Sequence, residues 1–176
     1  MDPGPGPPTR SSRLPSRSDA GFGPGGAPRS VGGEPPLSEA EFRSIYSRVP
    51  RLTVEVVVES SQGILLTRRE TGPCAGLWHI PGGTVRFGEP LIAAVKRVAA
   101  TELGLEAPVG PFLGYIEYPS HHLNGLDSPV GLAFLSHVEE DQLTTIADRR
   151  SWFAVLPDRM HTEQHDFLLE HRLVRP

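Results

Sequence analysis

Apolar residues along this chain fall in short runs whose period changes from one run to the next. LTVEVVVES, residues 52–60, is β-branched and predicts a strand, with Glu55 the odd polar residue inside it. SSQG reads as a turn and GILLTRRE as a second strand, so 52–70 predicts a hairpin. LWHIPGG predicts a short strand entering a glycine turn, and GEPLIAAVKRVAATELG predicts the first long helix. Pro90 suits that helix's first turn and Gly104 the residue just past its end. GPFLGYIEYPS and PVGLAFLSHVE predict strands on either side of a loop, HHLNGLDS. After the acidic EEDQ comes another loop, then RSWFAVLP and a last helix of roughly HTEQHDFLLEHRL. Near the start, Ser38 caps a helix in SEAEFRSIYSR, Glu41 completes a capping box, and Pro50 lies just past the end. Strands alternate with helices, but some strands are joined by short turns. The pattern therefore predicts an α+β or α/β sandwich with a mixed sheet.

Composition divides the chain. Of its 176 residues, 19 are Gly and 19 are Pro, and residues 1–36 are dominated by Pro, Gly, Ser and Arg. Such a segment buries too little apolar surface to offset its ordering entropy, so a disordered tail is expected before one domain over 37–176. The net charge of −4 gives no global attraction to nucleic acid or to a membrane, and neither is expected as a partner. One cysteine, Cys74, excludes an intrachain disulfide and suggests a reducing compartment. No apolar run reaches the roughly 18 residues of a spanning helix, and a cytoplasmic setting is expected.

The chemistry concentrates at PGGTVRFGEPLIAAVKRVAATELGLE, residues 81–106. Two adjacent glycines allow a tight turn and close backbone approach to a ligand. On the following helix, positions 98, 101 and 102 share one face. Glu102 offers a carboxylate to a hard cation such as Mg2+, whereas Val98 and Thr101 do not.

This segment resembles the Nudix box, G-x5-E-x7-R-E-U-x-E-E-x-G-U. Gly83, Glu89, Arg97, Glu102, Gly104 and Leu105 stand at the required spacings, and Ala99 is a weak match. Val98 and Thr101 occupy places where the family usually has metal-binding glutamates. The resemblance implies an α/β/α sandwich and hydrolysis of a nucleoside diphosphate linked to another group. GDP-mannose mannosyl hydrolases resemble this chain further, in lacking the same two glutamates. Arg69, Pro73, Gly76 and Trp78 are spaced as in those enzymes, Glu55 matches their strand acid, and LSEAEFRSIYSRVP resembles their first helix. The likeness covers about residues 37–135.

That likeness implies one Mg2+, with Mn2+ as an alternative ion, on the Gly82 carbonyl and on Glu102. It implies water attack at the anomeric carbon of a nucleotide sugar, with the nucleoside diphosphate leaving, and a homodimer. Glu89 and Arg97 would brace the turn against the helix, and Glu55 and Arg69 would contact substrate. The subfamily's basic histidine falls at Gly131, which accepts no proton, and a second one falls near Tyr118. His121 and His122 stand nearby as candidate bases, since a neutral imidazole suits that work. Trp78 is expected in the core and Glu117 is a candidate extra metal ligand. His137, His161 and His165 are expected on surfaces, and Cys74 is expected to be incidental. Two other readings stay open: an ordinary diphosphatase attacking phosphorus, and a nucleotide-binding module without turnover.

Overall fold

The computed structural model describes residues 37–71, 74–104, 106, 108–138 and 149–174. The tail 1–36, Pro73, Leu105 and the segment 139–148 lie outside the described residues. The described residues belong to one compact unit, Gly33–Pro176.

Its framework is a mixed sheet of seven strands. They are β1 (Arg51–Ser60), β2 (Gly63–Arg68), β3 (Trp78–His79), β4 (Gly82–Thr84), β5 (Phe112–Glu117), β6 (Pro129–His137) and β7 (Arg150–Phe153). The main path runs β3-β2-β1-β6-β5, with β4 also on β1 and β7 on β2. β1 pairs parallel with β6 and antiparallel with β2 and β4. The hairpin 52–70 thus becomes β1 and β2, and the alternating pattern yields a mixed sheet.

Strand β1 buries residues 53–58 in succession because both of its faces are covered. Val54, Val56 and Val58 join Ala94, Val95, Val98 and Leu103 in one core cluster. Val57, on the opposite face, joins Ile116, Tyr118, Phe167 and Leu168 in another. The first cluster lies under helix α2 (Leu91–Val98) and the second under helix α4 (Thr162–Glu170). Burying apolar side chains on both sides, at about 25 cal/mol per Å2, holds the three layers together. Helix α1 (Glu39–Tyr46) carries the capping box: Glu41 accepts from the Ser38 amide at 2.8 Å, and Ser38 Oγ accepts from the Glu41 amide at 3.4 Å. Among the described residues, no helix is long and apolar enough to cross a membrane.

Three local features differ from the sequence expectation. Pro90 is the extended N-cap of α2 rather than a residue of its first turn. The long helix is α-helical only to Val98 and continues as a π-helical turn, Ala99–Leu103. Thr101 Oγ1 donates back to the Arg97 carbonyl at 2.8 Å, and such competition loosens helical hydrogen bonding. Gly104, at φ 67°, then ends the turn in the left-handed region that glycine adopts without strain. HHLNGLDS is not wholly a loop: its start belongs to a short helix, α3 (Pro119–Leu123).

Candidate active site

The turn between β4 and α2 is fastened by one ion pair. Arg97 donates from Nε to Glu89 Oε1 at 2.7 Å and from Nη2 to Glu89 Oε2 at 2.8 Å. The same guanidinium reaches the Thr84 carbonyl at 3.0 Å, and Glu89 also accepts from the Arg86 amide at 2.9 Å. The hydrogen bond from Arg97 holds the Glu89 carboxyl below its usual range. This bidentate geometry fixes where α2 begins and hence where Glu102 ends up.

Val98 is sealed in the core, 1% exposed. A Cβ on Gly83 would stand 2.9 Å from Val98 Cγ2, so glycine and valine share one tight contact. Position 98 is therefore a packing position in this chain. Thr101 spends its hydroxyl on its own helix. Of these three positions Glu102 alone offers a carboxylate, exposed at the π-turn. Burial raises its carboxyl, opposed by the charges of Arg69 and Arg150. Among the described residues it has no hydrogen bond or ion pair. An exposed carboxylate on the same groove as the glycine turn fits a hard cation held by oxygen.

Glu55 is the second acid of the site and is deeply buried, 5% exposed. Its Oε1 accepts from Thr53 Oγ1 at 2.9 Å and from the Tyr118 hydroxyl at 3.0 Å. Gln164 Nε2 lies 3.4 Å from Oε2 and donates to the Tyr118 oxygen at 2.9 Å. Burial pushes the Glu55 carboxyl up to about 7, against these hydrogen bonds, and the negative charge of Glu102 adds to the rise. Its room is made by glycines. A Cβ on Gly82 would fall 2.1 Å from Glu55 Oε2, and one on Gly131 2.8 Å from Oε1 and Cγ. This explains the glycine where the resemblance places a basic histidine: the space of a side chain at 131 is taken by Glu55.

Around Glu55 the cleft is lined by Arg69, His79, Tyr118, His121, His161 and Cys74, among others. Arg69 also lines a wider groove that reaches Glu102, Arg149, Arg150 and the α1 residues Phe42 and Tyr46. Arg51 is tied to Asp127, Arg149 to Glu70, and Arg150 to the Leu103 carbonyl. Among the described residues, the Arg69 guanidinium has no such bond.

The histidines sort differently from the sequence reading. His121 lines the cleft, donating from Nδ1 to Asp127 at 2.9 Å. His122 is exposed and lines neither the cleft nor the groove. The two are neighbours on the short helix α3, whose rotation turns one inward and the other outward. His161, expected on the surface, is 8% exposed and stands 3.0 Å from His121, Nε2 to Nε2. His137 and His165 are solvent-facing. Cys74, expected to be incidental, lines the cleft with its Sγ 3.9 Å from His121 Nε2. Glu117 points out from β5 and lines neither cavity, so nothing places it near a metal. Trp78 packs edge-to-face on Phe153, centroids 4.9 Å apart, within the α4-side core.

Sequence reasoning missed His79, Asp127, His161 and Gln164. Gln164 had a readable signal: it shares a helix face with Phe167 and Leu168, both buried, so a polar residue there needs buried partners.

A model of the NUDIX domain matches residues 49–167. The Low-salt glycan biosynthesis protein Agl8 of Haloferax volcanii is 35% identical over 111 residues, which are 61% of this chain and 71% of that protein. An ADP-ribose pyrophosphatase of Methanocaldococcus jannaschii is 34% identical over 76 residues, 43% of this chain, and the match spans only 45% of that relative. A MutT NUDIX hydrolase from Burkholderia pseudomallei superimposes with a TM-score of 0.59 at 27% identity, covering 72% of this chain and 99% of that structure. The three-layer fold, the braced glycine turn and these matches together establish that the chain belongs to the Nudix family of hydrolases.

Proposed function

We propose that this chain hydrolyses a nucleotide sugar, GDP-mannose or a relative, to free sugar and a nucleoside diphosphate. The observation that carries this reading is the single uncommitted carboxylate of the box helix, Glu102, with Val98 closed into the core. The Gly82 carbonyl and Glu102 would hold one Mg2+, or Mn2+ in its place. When bound, that ion neutralises charge developing on the departing diphosphate. A site with one acid of this kind suits carbon–oxygen cleavage, which needs leaving-group stabilisation rather than a hydroxide organised at phosphorus. The name of the Haloferax volcanii relative, a glycan biosynthesis protein, supports a sugar-bearing substrate.

The chain's own residues supply the rest. Arg69 binds the diphosphate, and the rings of Phe42 and Tyr46 line the groove where a base would stack. Glu55, expected as a substrate contact, is assigned here as the proton acceptor. Burial brings its carboxyl to about 7, and a base works best with its pKa near the operating pH. Thr53, Tyr118 and Gln164 hold that carboxyl in place. His121 is less suited to this role, because Asp127 occupies its Nδ1 and His161 faces its Nε2. The same reading takes the enzyme to be a cytoplasmic homodimer, which sedimentation of the purified chain would test.

The test is a panel of nucleotide sugars with Mg2+ in isotope-labelled water. Label in the released sugar is expected. Label in phosphate would instead favour attack at phosphorus, the second reading, which the name of the ADP-ribose pyrophosphatase relative supports. Nucleotide binding without turnover on any member of the panel would leave a binding module.

A further inference from the structure

We propose that Cys74, His121 and His161 form a binding site for a thiophilic divalent transition metal ion, Zn2+ or Co2+, separate from the hard-cation position at Glu102. Three segments distant in sequence bring these side chains together: the loop before β3, helix α3, and the residue that caps α4. Their donor atoms all lie within 4.8 Å of one another. Ideal tetrahedral Zn2+, with bonds of about 2.0–2.1 Å to nitrogen and about 2.3 Å to sulfur, separates two nitrogens by about 3.3 Å and sulfur from nitrogen by about 3.6 Å. The observed separations are 3.0 Å for His121 Nε2 to His161 Nε2 and 3.9 Å for Cys74 Sγ to His121 Nε2. These two separations lie within a few tenths of an ångström of the tetrahedral values, and the third pair, Cys74 with His161, lies within 4.8 Å.

A second observation points the same way. Each imidazole turns its Nδ1 to a carboxylate: His121 to Asp127 at 2.9 Å, and His161 to Glu163 at 3.1 Å. An ionised carboxylate only accepts, so His121 Nδ1 carries that ring's proton, while His161 Nδ1 and Glu163 Oε2, both buried, are left without a hydrogen bond. The two Nε2 atoms face each other across 3.0 Å, with the bare Nε2 of His121 turned to His161. A cation between them would take both Nε2 lone pairs and place the His161 Nδ1 proton towards the unpartnered Glu163 oxygen. The carboxylates that orient histidine ligands from behind are what metal-bound imidazoles ordinarily have. Both acids are anchored, Asp127 by Arg51 and Glu163 by the Ser120 amide at 2.8 Å.

Sulfur with two imidazoles selects Zn2+ or Co2+ over Mg2+. On binding, the Cys74 thiol releases its proton to solvent as the metal–sulfur bond forms. Three protein donors leave a fourth position for water or a substrate atom, in the same cleft as Glu55 and Arg69.

The test is a Co2+ titration of the full chain, stripped of metal and held in excess Mg2+ to fill the hard site. One equivalent is expected, with a thiolate-to-cobalt charge-transfer band and the intense visible bands of four-coordinate cobalt, both displaced by Zn2+. Cys74→Ser should remove the charge-transfer band. Asp127→Asn and Glu163→Gln should each weaken binding about 10- to 100-fold. Glu102→Gln should leave the spectrum unchanged, so failure of this site and failure of the proposed hydrolysis are distinguishable. Circular dichroism checks that each variant folds. A weak six-coordinate spectrum without the sulfur band would overturn the proposal. So would a spectrum that survives Cys74→Ser, or a stripped protein that binds no cobalt and titrates one imidazolium.

Discussion

Replacing Glu55 by Gln isolates the energetic consequence of burying an acid in the cleft. In the folded chain the carboxyl is pushed from 4.5 up to about 7, mainly by burial. Between those values the folded state holds a proton that the unfolded state releases. The group therefore favours folding least above pH 7: stability is full below about pH 4.5 and falls as pH rises towards and through about 7. The rise corresponds to about 3 kcal/mol lost by alkaline pH. Glutamine cannot ionise and avoids that loss. Its carbonyl keeps the bonds from Thr53 and Tyr118, but its amide meets the Gln164 amide, which now donates at 3.4 Å. That conflict costs about 1 kcal/mol. Glu55→Gln should thus stabilise the fold by about 2 kcal/mol near pH 9 and be neutral or destabilising by about 1 kcal/mol near pH 5. Urea unfolding at both pH values, with chelator present, measures the difference. Equal effects at the two pH values would refute the claim that burial raises this carboxyl. The same variant should lose about 100-fold or more in turnover if Glu55 takes the proton.

Glu102→Gln should reduce metal-dependent turnover about 100-fold or more while leaving the unfolding midpoint nearly unchanged, read by parallel kinetics and denaturation. Wild-type turnover should rise as pH increases through about 7, where Glu55 loses its proton, and a profile flat from pH 5 to 9 would remove Glu55 as the base. Glu89→Ala leaves Arg97 with only the Thr84 carbonyl and should cost about 2 kcal/mol in chemical denaturation, discounted from the fully buried case because the Arg97 side chain is 23% exposed. Gly131→Ala should cost about 1–3 kcal/mol by forcing Glu55 aside, and adding Glu55→Ala should recover much of that loss, since the clash is with its carboxyl and Cγ.

The sheet and its coverage were legible because β-branched runs and a 3.6-residue period answer directly to burial. The β-branched run 52–60 announced strand β1, and Gly104 announced the end of the box helix. The spacing of Gly83, Glu89, Arg97 and Glu102 was readable for the same reason: one turn and one helix set it locally. The split of the long helix was harder to read, because a π-turn depends on how Thr101 competes for carbonyls. Histidine placement failed for a different cause. His121 and His122 are adjacent, and only the seating of α3 on the rest of the fold decides which one faces the cleft.

The sequence by itself determined the mixed sheet, the glycine turn and the box helix, which rest on simple periodicity and local spacing, and through its motif the family, whose resemblance implied the three layers and the bracing ion pair. Only the tertiary structure decided that Glu55 is held by Tyr118 and Gln164, that Gly131 is small to admit it, and that Cys74, His121 and His161 converge. Those contacts join residues 40 to 109 positions apart. Long-range meetings of this kind follow from strand register and helix seating, which spacing along one chain does not encode.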